Sequence, residues 1–297
     1  MTIETAKKIK NDFNLITHPT EEQKFDFTEA MGFLIEETRN PEYMMELGGY
    51  YYGWRNFDLA LKYYNMAAEF DFESAYECLG YIWYYGRTGT VDYEKAFEYF
   101  SNAMKKGNIV AEYKIADMYK NGYFVEKDYE KYKNIIKSMY SKVKDAHFLY
   151  EPLPEIYTRL ARIHTEEGNI RLAIGLYRDA KDFLAQRIRY NPFFGNLNIM
   201  KWLIEDLYKL IEFDDIDMDF FDLYYVLKKP VTVTFMYNDE THTIKTVEEN
   251  GLVSINLDDT KWYKTVDDFF QNAEINHTAL TDIYEDLYDF ELPHQND

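Results

Sequence analysis

Apolar residues recur three and four positions apart along most of the first 190 residues, the spacing that lays a single stripe on an α-helix. Leu79, Ile82 and Trp83 make one stripe, and Ala96, Phe97, Phe100, Ala103 and Met104 make the next. Gly86 between them predicts a stop, because glycine accepts left-handed backbone, and Asp92 predicts a start, because a carboxylate caps the open amides of a first turn. The same reading predicts helices over 3–14 and 21–39, with Phe27, Ala30, Met31 and Leu34 on one face, and Pro41 opening another. Asn191-Pro192 predicts a break, followed by helices near 196–212 and 217–227.

The stripes repeat. Gly86 recurs as Gly122, and Asp92-Tyr93-Glu94-Lys95 as Asp128-Tyr129-Glu130-Lys131, both 36 residues on. Backwards, Ala60, Tyr64 and Ala67 precede Ala96, Phe100 and Ala103 by 36, whereas Leu47-Gly48 precedes Leu79-Gly80 by 32. The difference must lie in the loop between paired helices, where insertions are tolerated. A fourth copy runs through Tyr157, Leu160, Ala161, His164, Gly168, Ala173, Tyr177 and Ala180. One helical pair leaves an apolar face bare, so the pairs must stack. The small residues Gly80, Ala96 and Ala103 predict close approach of helix axes, and Cys78 beside them reads as a buried small side chain.

At these residues the chain resembles two related families, the tetratricopeptide repeat and the Sel-one-like repeat. The first is carried by Leu47-Gly48, Tyr51, Ala60, Tyr64 and Ala67 with their echo at 157–180, the second by Leu79-Gly80, Gly86, Gly89-Thr90-Val91-Asp92, Lys95-Ala96 and Gly107. The resemblance covers about residues 41–188; Tyr132, where the family pattern has a small residue, departs from it. It implies a mostly α fold, an α-solenoid of stacked helical hairpins, whose concave groove binds a peptide or protein segment. Transferred residue by residue, the groove positions are Met45, Gly49 and Tyr52; Glu77, Tyr81 and Tyr84; Tyr113, Asp117 and Lys120; Thr158, Arg162 and Thr165. Tyrosine offers contact area at low entropic cost and can hold a cation on its ring face, so a basic or aromatic-rich protein segment is the expected partner.

After Lys228-Lys229-Pro230 the period changes to two. Val231, Val233 and Phe235 alternate with threonines, a turn at Asn238-Asp239 leads to a strand through His242 and Ile244, and Asn250-Gly251 to one through Val253, Ile255 and Leu257. Helices are predicted over 264–273 and 278–289. The chain thus reads as a solenoid over 1–227 with terminal capping helices and a small C-terminal α+β (β-β-β-α-α) domain over 228–297.

Charge sharpens that division. Residues 211–297 carry 21 acidic and 5 basic side chains, a net of −16 out of −20 for all 297 residues. Such a field repels phosphate backbones and anionic membranes, so no nucleic-acid partner is expected. It raises an alternative function, a regulatory inhibitor whose acidic domain masks a basic or nucleic-acid-binding partner. No run of 18 apolar residues predicts a membrane span, and the single cysteine and absence of a secretory apolar segment favour a cytoplasmic setting. Repeat arrays can also stack end to end, which leaves homo-oligomerisation open.

Catalytic chemistry finds no foothold in the sequence. None of Ser74, Ser101, Ser138, Ser141 and Ser254 sits in a nucleophile elbow, and the six histidines form no paired metal motif. His164 falls where the repeat packs an aromatic ring. Asp215, Asp217 and Asp219 alternate like calcium-loop ligands, but Phe220 and Val226 occupy the positions that need glycine and a carboxylate. No enzyme, metal or cofactor is expected, and the leading function is a protein-interaction scaffold or adaptor.

Overall fold

The computed structural model describes residues 1–16, 19–145, 152–190, 194–211 and 218–292. The chain divides into two compact units, Met1–Met139 and Tyr140–Asp297. The first is wholly helical: α1 (Ile3–Phe13), α2 (Glu21–Thr38), α3 (Pro41–Gly53), α4 (Phe57–Ala68), α5 (Glu73–Tyr84), α6 (Tyr93–Lys105) and α7 (Ile109–Asn121), with α8 (Tyr129–Val143) running across the division.

Short polar side chains set the helix starts. Thr20 and Gln23 form a reciprocal capping box on α2, and Asn40 caps α3 with Pro41 in its first turn. Asp92 accepts the Lys95 amide at 3.0 Å, and Asp128 repeats this on Lys131 at 2.8 Å. Each such cap stabilises its helix by roughly 1 kcal/mol. Gly122 ends α7 at φ 73°. At Gly86, with φ 59°, a Cβ would lie 2.8 Å from the Val91 amide nitrogen, so this turn requires glycine twice over.

The four-residue discrepancy in the repeat falls in the connections. Residues 54–56 join α3 to α4, whereas 85–92 join α5 to α6 and 122–128 join α7 to α8. The longer connections fold back onto their own helices: the Asp92 amide donates to Trp83 O and the Asp128 amide to Tyr119 O. Helix pairs close around Ala60, Tyr64, Leu79, Ala96, Phe100 and Ala103, all buried, with Gly48 and Gly80 facing the Tyr64 and Phe100 rings. Tyr132, the departure from the pattern, is buried as well. Neighbouring repeats are then tied by side-chain hydrogen bonds between residues 29 to 35 apart, one repeat length.

In the second unit the fourth copy is realised as α9 (Leu153–Glu166) and α10 (Ile170–Tyr190) around Gly168, with Tyr157, Leu160, Ala161, Ala173, Tyr177 and Ala180 buried. Two buried ion pairs fix α10. Arg187 donates to both oxygens of Glu155 at 2.8 and 3.2 Å, and Lys181 Nζ lies 2.8 and 2.7 Å from those of Asp222. After α11 (Phe194–Leu207), Asp222 ends a 3₁₀ turn, Phe220–Asp222, leading into the short α12 (Leu223–Val226). The Asn191-Pro192 break and the Asp215 and Asp217 positions of the calcium reading lie outside the described residues.

The period-two segment folds as an antiparallel sheet: β1 (Thr232–Tyr237), β2 (Glu240–Glu249), β3 (Leu252–Leu257) and β4 (Lys261–Tyr263), then α13 (Val266–Asn272), the small hairpin β5 (Glu274–Ile275) and β6 (Thr278–Ala279), α14 (Leu280–Ile283) and β7 (Tyr288–Glu291). Strand order is β4-β3-β2-β1-β7. The three expected strands and the helix over 264–273 are present. The helix predicted over 278–289 is not: four residues are α-helical, one 3₁₀ turn follows, and β7 returns to pair with β1 so that Phe290 stacks on Phe235 at 5.3 Å. β4 is also additional. It follows a turn in which Asp258 and Asp259 both take positive φ, as Asn238-Asp239 and Asn250-Gly251 do in the hairpins before it.

The change from helix to strand at residue 228 lies inside this second unit. Tyr224 stacks on Phe270 at 3.6 Å, Phe220 packs on the same ring, and Tyr284 donates to Ala185 O at 2.6 Å. Sheet and helices therefore share one aromatic core. No helix among the described residues is long and apolar enough to cross a membrane.

Candidate functional site

The candidate groove residues lie on the first helix of each pair, and unit one brings several of them together. Tyr81 of α5 and Tyr113 of α7 share a hydrogen bond, with hydroxyls 2.9 Å apart. Around them close the rings of Tyr84 and Tyr85, Tyr85 stacked on Tyr81 with centroids 5.9 Å apart. The space so enclosed is filled by the chain itself. Lys114 donates to the Tyr85 hydroxyl at 3.0 Å, and its ammonium lies 4.9 Å from the Tyr81 ring, 5.1 Å from Tyr84 and Tyr85, and 5.4 Å from Tyr113.

Lys114 is only 6% exposed, so the four rings replace much of the water its charge would otherwise keep. Burial pushes the Tyr81 hydroxyl well above its ordinary pKa, with Tyr113 adding to the effect. Tyr84 is raised by burial and then by the Asp117 carboxylate. Tyr81 and Tyr84 therefore stay neutral at physiological pH, and the four rings act as hydrogen-bonding, cation-holding surfaces.

A second enclosure adjoins the first. Arg87, in the long α5–α6 connection, donates from Nε to the Tyr52 hydroxyl at 3.1 Å, and its Cζ lies 4.9 Å from the Tyr85 ring, 5.7 Å from Phe57 and 5.9 Å from Tyr52. Tyr85 thus touches both cations. Glu77 accepts from Asn108 at 2.7 Å, which fixes the start of α7. Met45 is half-buried against the cores on either side of α3, and Lys120 lies 5.1 Å over the Tyr132 ring. Gly49 is exposed.

The fourth-copy positions belong to the second unit. Arg162 is ion-paired with Asp206 at 2.7 Å, and Thr158 and Thr165 donate to carbonyls of their own helix. His164 is half-buried, within 3.3 Å of Asn169 Nδ2 and 3.4 Å of Glu167. Burial pushes the Cys78 thiol up to about 12, which keeps it protonated and unreactive.

Lys114, Tyr85 and Arg87 were not among the sequence candidates. Lys114 lies 36 residues after Cys78, which reads from sequence as a small buried side chain, although the earlier repeat has Glu46 in the same slot. A lysine there requires compensation nearby, and the tyrosines supply it. Lys114→Met keeps the aliphatic stem but removes the charge. It should cost about 1–2 kcal/mol in urea unfolding, with little dependence on salt because the ammonium is screened from solvent. A loss under about 0.3 kcal/mol would show that the rings contribute nothing to holding the cation.

Comparison with known proteins agrees with the repeat. The sequence model of the Sel1 repeat family matches residues 41–69, 75–108 and 109–131. Among solved structures, a Sel1 repeat protein from Oxalobacter formigenes is 20% identical, with a TM-score of 0.50, the match covering 68% of this chain and 75% of that one. A protective antigen of uropathogenic Escherichia coli, c5321, which displays an SLR fold, is 18% identical with a TM-score of 0.43, over 68% of this chain and 40% of that one. No curated protein matches the chain. At 20% identity the likeness to the Oxalobacter formigenes protein is one of fold. Repeats of this type generally serve as protein-interaction scaffolds. The stacked helical pairs of residues 41–131 are Sel1-like repeats.

Proposed function

We propose that residues 41–131 form a protein-binding scaffold whose partner lies along the first helices α3, α5 and α7. The observation that carries this reading is the enclosure of Lys114 by Tyr81, Tyr84, Tyr85 and Tyr113, which locks rings from two neighbouring repeats into one pre-organised surface. Rigid aromatic side chains bind with little further loss of entropy, and Tyr85 remains 46% exposed after its internal contacts are made. Because Lys114 and Arg87 already occupy ring faces, an incoming segment meets ring edges, Met45 and the rim of the enclosure. Such a surface favours an aromatic or apolar segment over a basic one.

Met45→Ser and Tyr84→Ala test this without touching Arg87. Each should lower recovery of the bound protein by about tenfold in crosslinking and affinity capture from native cells, since aromatic anchors dominate interface energies. Tyr190→Ala, at a 65% exposed ring of the second unit, should leave recovery unchanged. Melting curves must show all three variants folded. Equal recovery by the folded variants and the parent protein would end the proposal.

A further inference from the structure

We infer that the hollow between residues 54–56 and the 85–92 connection is a carboxylate-binding site, which receives an acidic group of the protein segment bound by the scaffold. The inference rests on the scaffold reading. The hollow, about 440 Å³, is lined by Trp54, Arg55, Asn56, Phe57, Asp58 and Arg87. It exists because a three-residue connection stands beside an eight-residue one, so that Arg87 reaches back over the shorter turn to Tyr52.

Arg87 is held on one side only. Tyr52 takes its Nε–H, while the Tyr52, Phe57 and Tyr85 rings surround Cζ. The terminal nitrogens form the edge left over, and two parallel N–H groups match the two oxygens of a carboxylate. Since the guanidinium is already immobilised, little rotamer freedom remains to be lost on binding. Arg55, fixed by its turn at φ 59°, supplies a second cation to the same wall, and the start of α4 adds partial positive charge.

Arg55 and Arg87 have no carboxylate partner among the described residues, unlike Lys10, Lys24, Lys95, Lys106 and Lys133 of the same unit. Asp58, in the same wall, offsets one of the two charges and leaves a surplus of one. That balance suits a singly charged carboxylate and penalises a phosphate, which carries nearly twice the charge.

The test is nuclear magnetic resonance on the full chain, following the Arg87 Nε–H and Trp54 indole N–H signals at constant ionic strength. N-acetylglycine offers a chain-terminal carboxylate, N-acetyl-aspartate α-methylamide a side-chain one, and inorganic phosphate is the competing anion. One or both carboxylates should give saturable shifts with a Kd in the millimolar range, and the tighter of the two identifies the source. Arg87→Gln should abolish the Trp54 shift, and Arg87→Lys should weaken it at least about threefold, because lysine lacks the fork. No saturation below about 50 mM, an undiminished Trp54 shift in Arg87→Gln, or tighter binding of phosphate than of either carboxylate would overturn the inference. None of these results bears on capture by Met45→Ser and Tyr84→Ala, so the two readings fail separately.

Discussion

Replacing Gly80 with alanine should destabilise the first unit by about 2 kcal/mol, roughly a thirtyfold loss in its folding constant, although alanine is the better helix former by about 1 kcal/mol. A Cβ on Gly80 would stand 2.5, 2.6 and 2.9 Å from three atoms of the Phe100 ring, which is fully buried and has no room to swing away. Overpacking of this kind costs about 1–3 kcal/mol and more where nothing yields. Gly48 stands in the same relation to Tyr64, with ring atoms 2.6 and 2.7 Å from its would-be Cβ. In the third repeat the positions 36 residues after Gly80 and Phe100 are Ala116 and Ile136, both fully buried. Where the small residue gains a methyl, the facing position gives up its ring.

That exchange supplies the control. Phe100→Ile alone should lose about 1–3 kcal/mol through the cavity it leaves. Combined with Gly80→Ala, it should lose at least about 1 kcal/mol less than the sum of the two, because each change relieves the other. Urea unfolding read by amide hydrogen exchange across α5 and α6 isolates this unit. Strict additivity, or a Gly80→Ala protein as stable as the parent, would show that ring contact does not set the interhelical distance.

The glycine positions were legible from sequence because sterics act locally and repeat: Leu47-Gly48 and Leu79-Gly80 mark the close contacts, Asp92 and Asp128 the starts, Gly86 and Gly122 the stops. What sequence did not reveal was long-range compensation. Tyr81, Tyr84 and Tyr113 read as rings awaiting a partner's cation, yet the cation is Lys114, which meets Tyr81, Tyr84 and Tyr85 from another repeat. The tail misled for a different reason. Leu280, Ile283, Tyr284 and Leu287 are spaced three, one and three apart, as on a helix, but the competing pairing of β7 with β1 buries Phe290 against Phe235 and stops the helix after one turn. Periodicity reports which residues want burial and leaves open which element supplies it. The Asp258-Asp259 pair did carry a signal for β4, since aspartate accepts the left-handed backbone that both residues adopt in the three-residue connection from β3 to β4.

Lys181→Met should produce the largest loss in the second unit, about 3–5 kcal/mol at pH 8, because it strands a buried carboxylate. Asp222 is 1% exposed, and Lys181 meets both of its oxygens and Asp219 as well. Burial alone would lower the Lys181 pKa, but the two carboxylates outweigh it and the net direction is upward. Asp222 is pushed from 3.8 up to about 6, by burial first and by the Asp219 charge second, with Lys181 opposing. A carboxyl whose folded pKa is raised contributes stability that is complete below pH 3.8 and lost as pH climbs through the folded value. Removing Lys181 raises that folded value further, so the loss from Asp222 continues to grow above pH 6 in the variant after it has levelled off in the parent. The gap between them should therefore widen from pH 5 to pH 8, as read by hydrogen exchange in β2 and β3. Lys181→Met with Asp222→Leu, which removes the stranded charge, should recover most of the loss at pH 8. A gap that stays constant with pH, or a double variant no more stable than the single, would mean that this ion pair does not anchor α10 to the Phe220–Val226 segment on which the sheet's aromatic core rests.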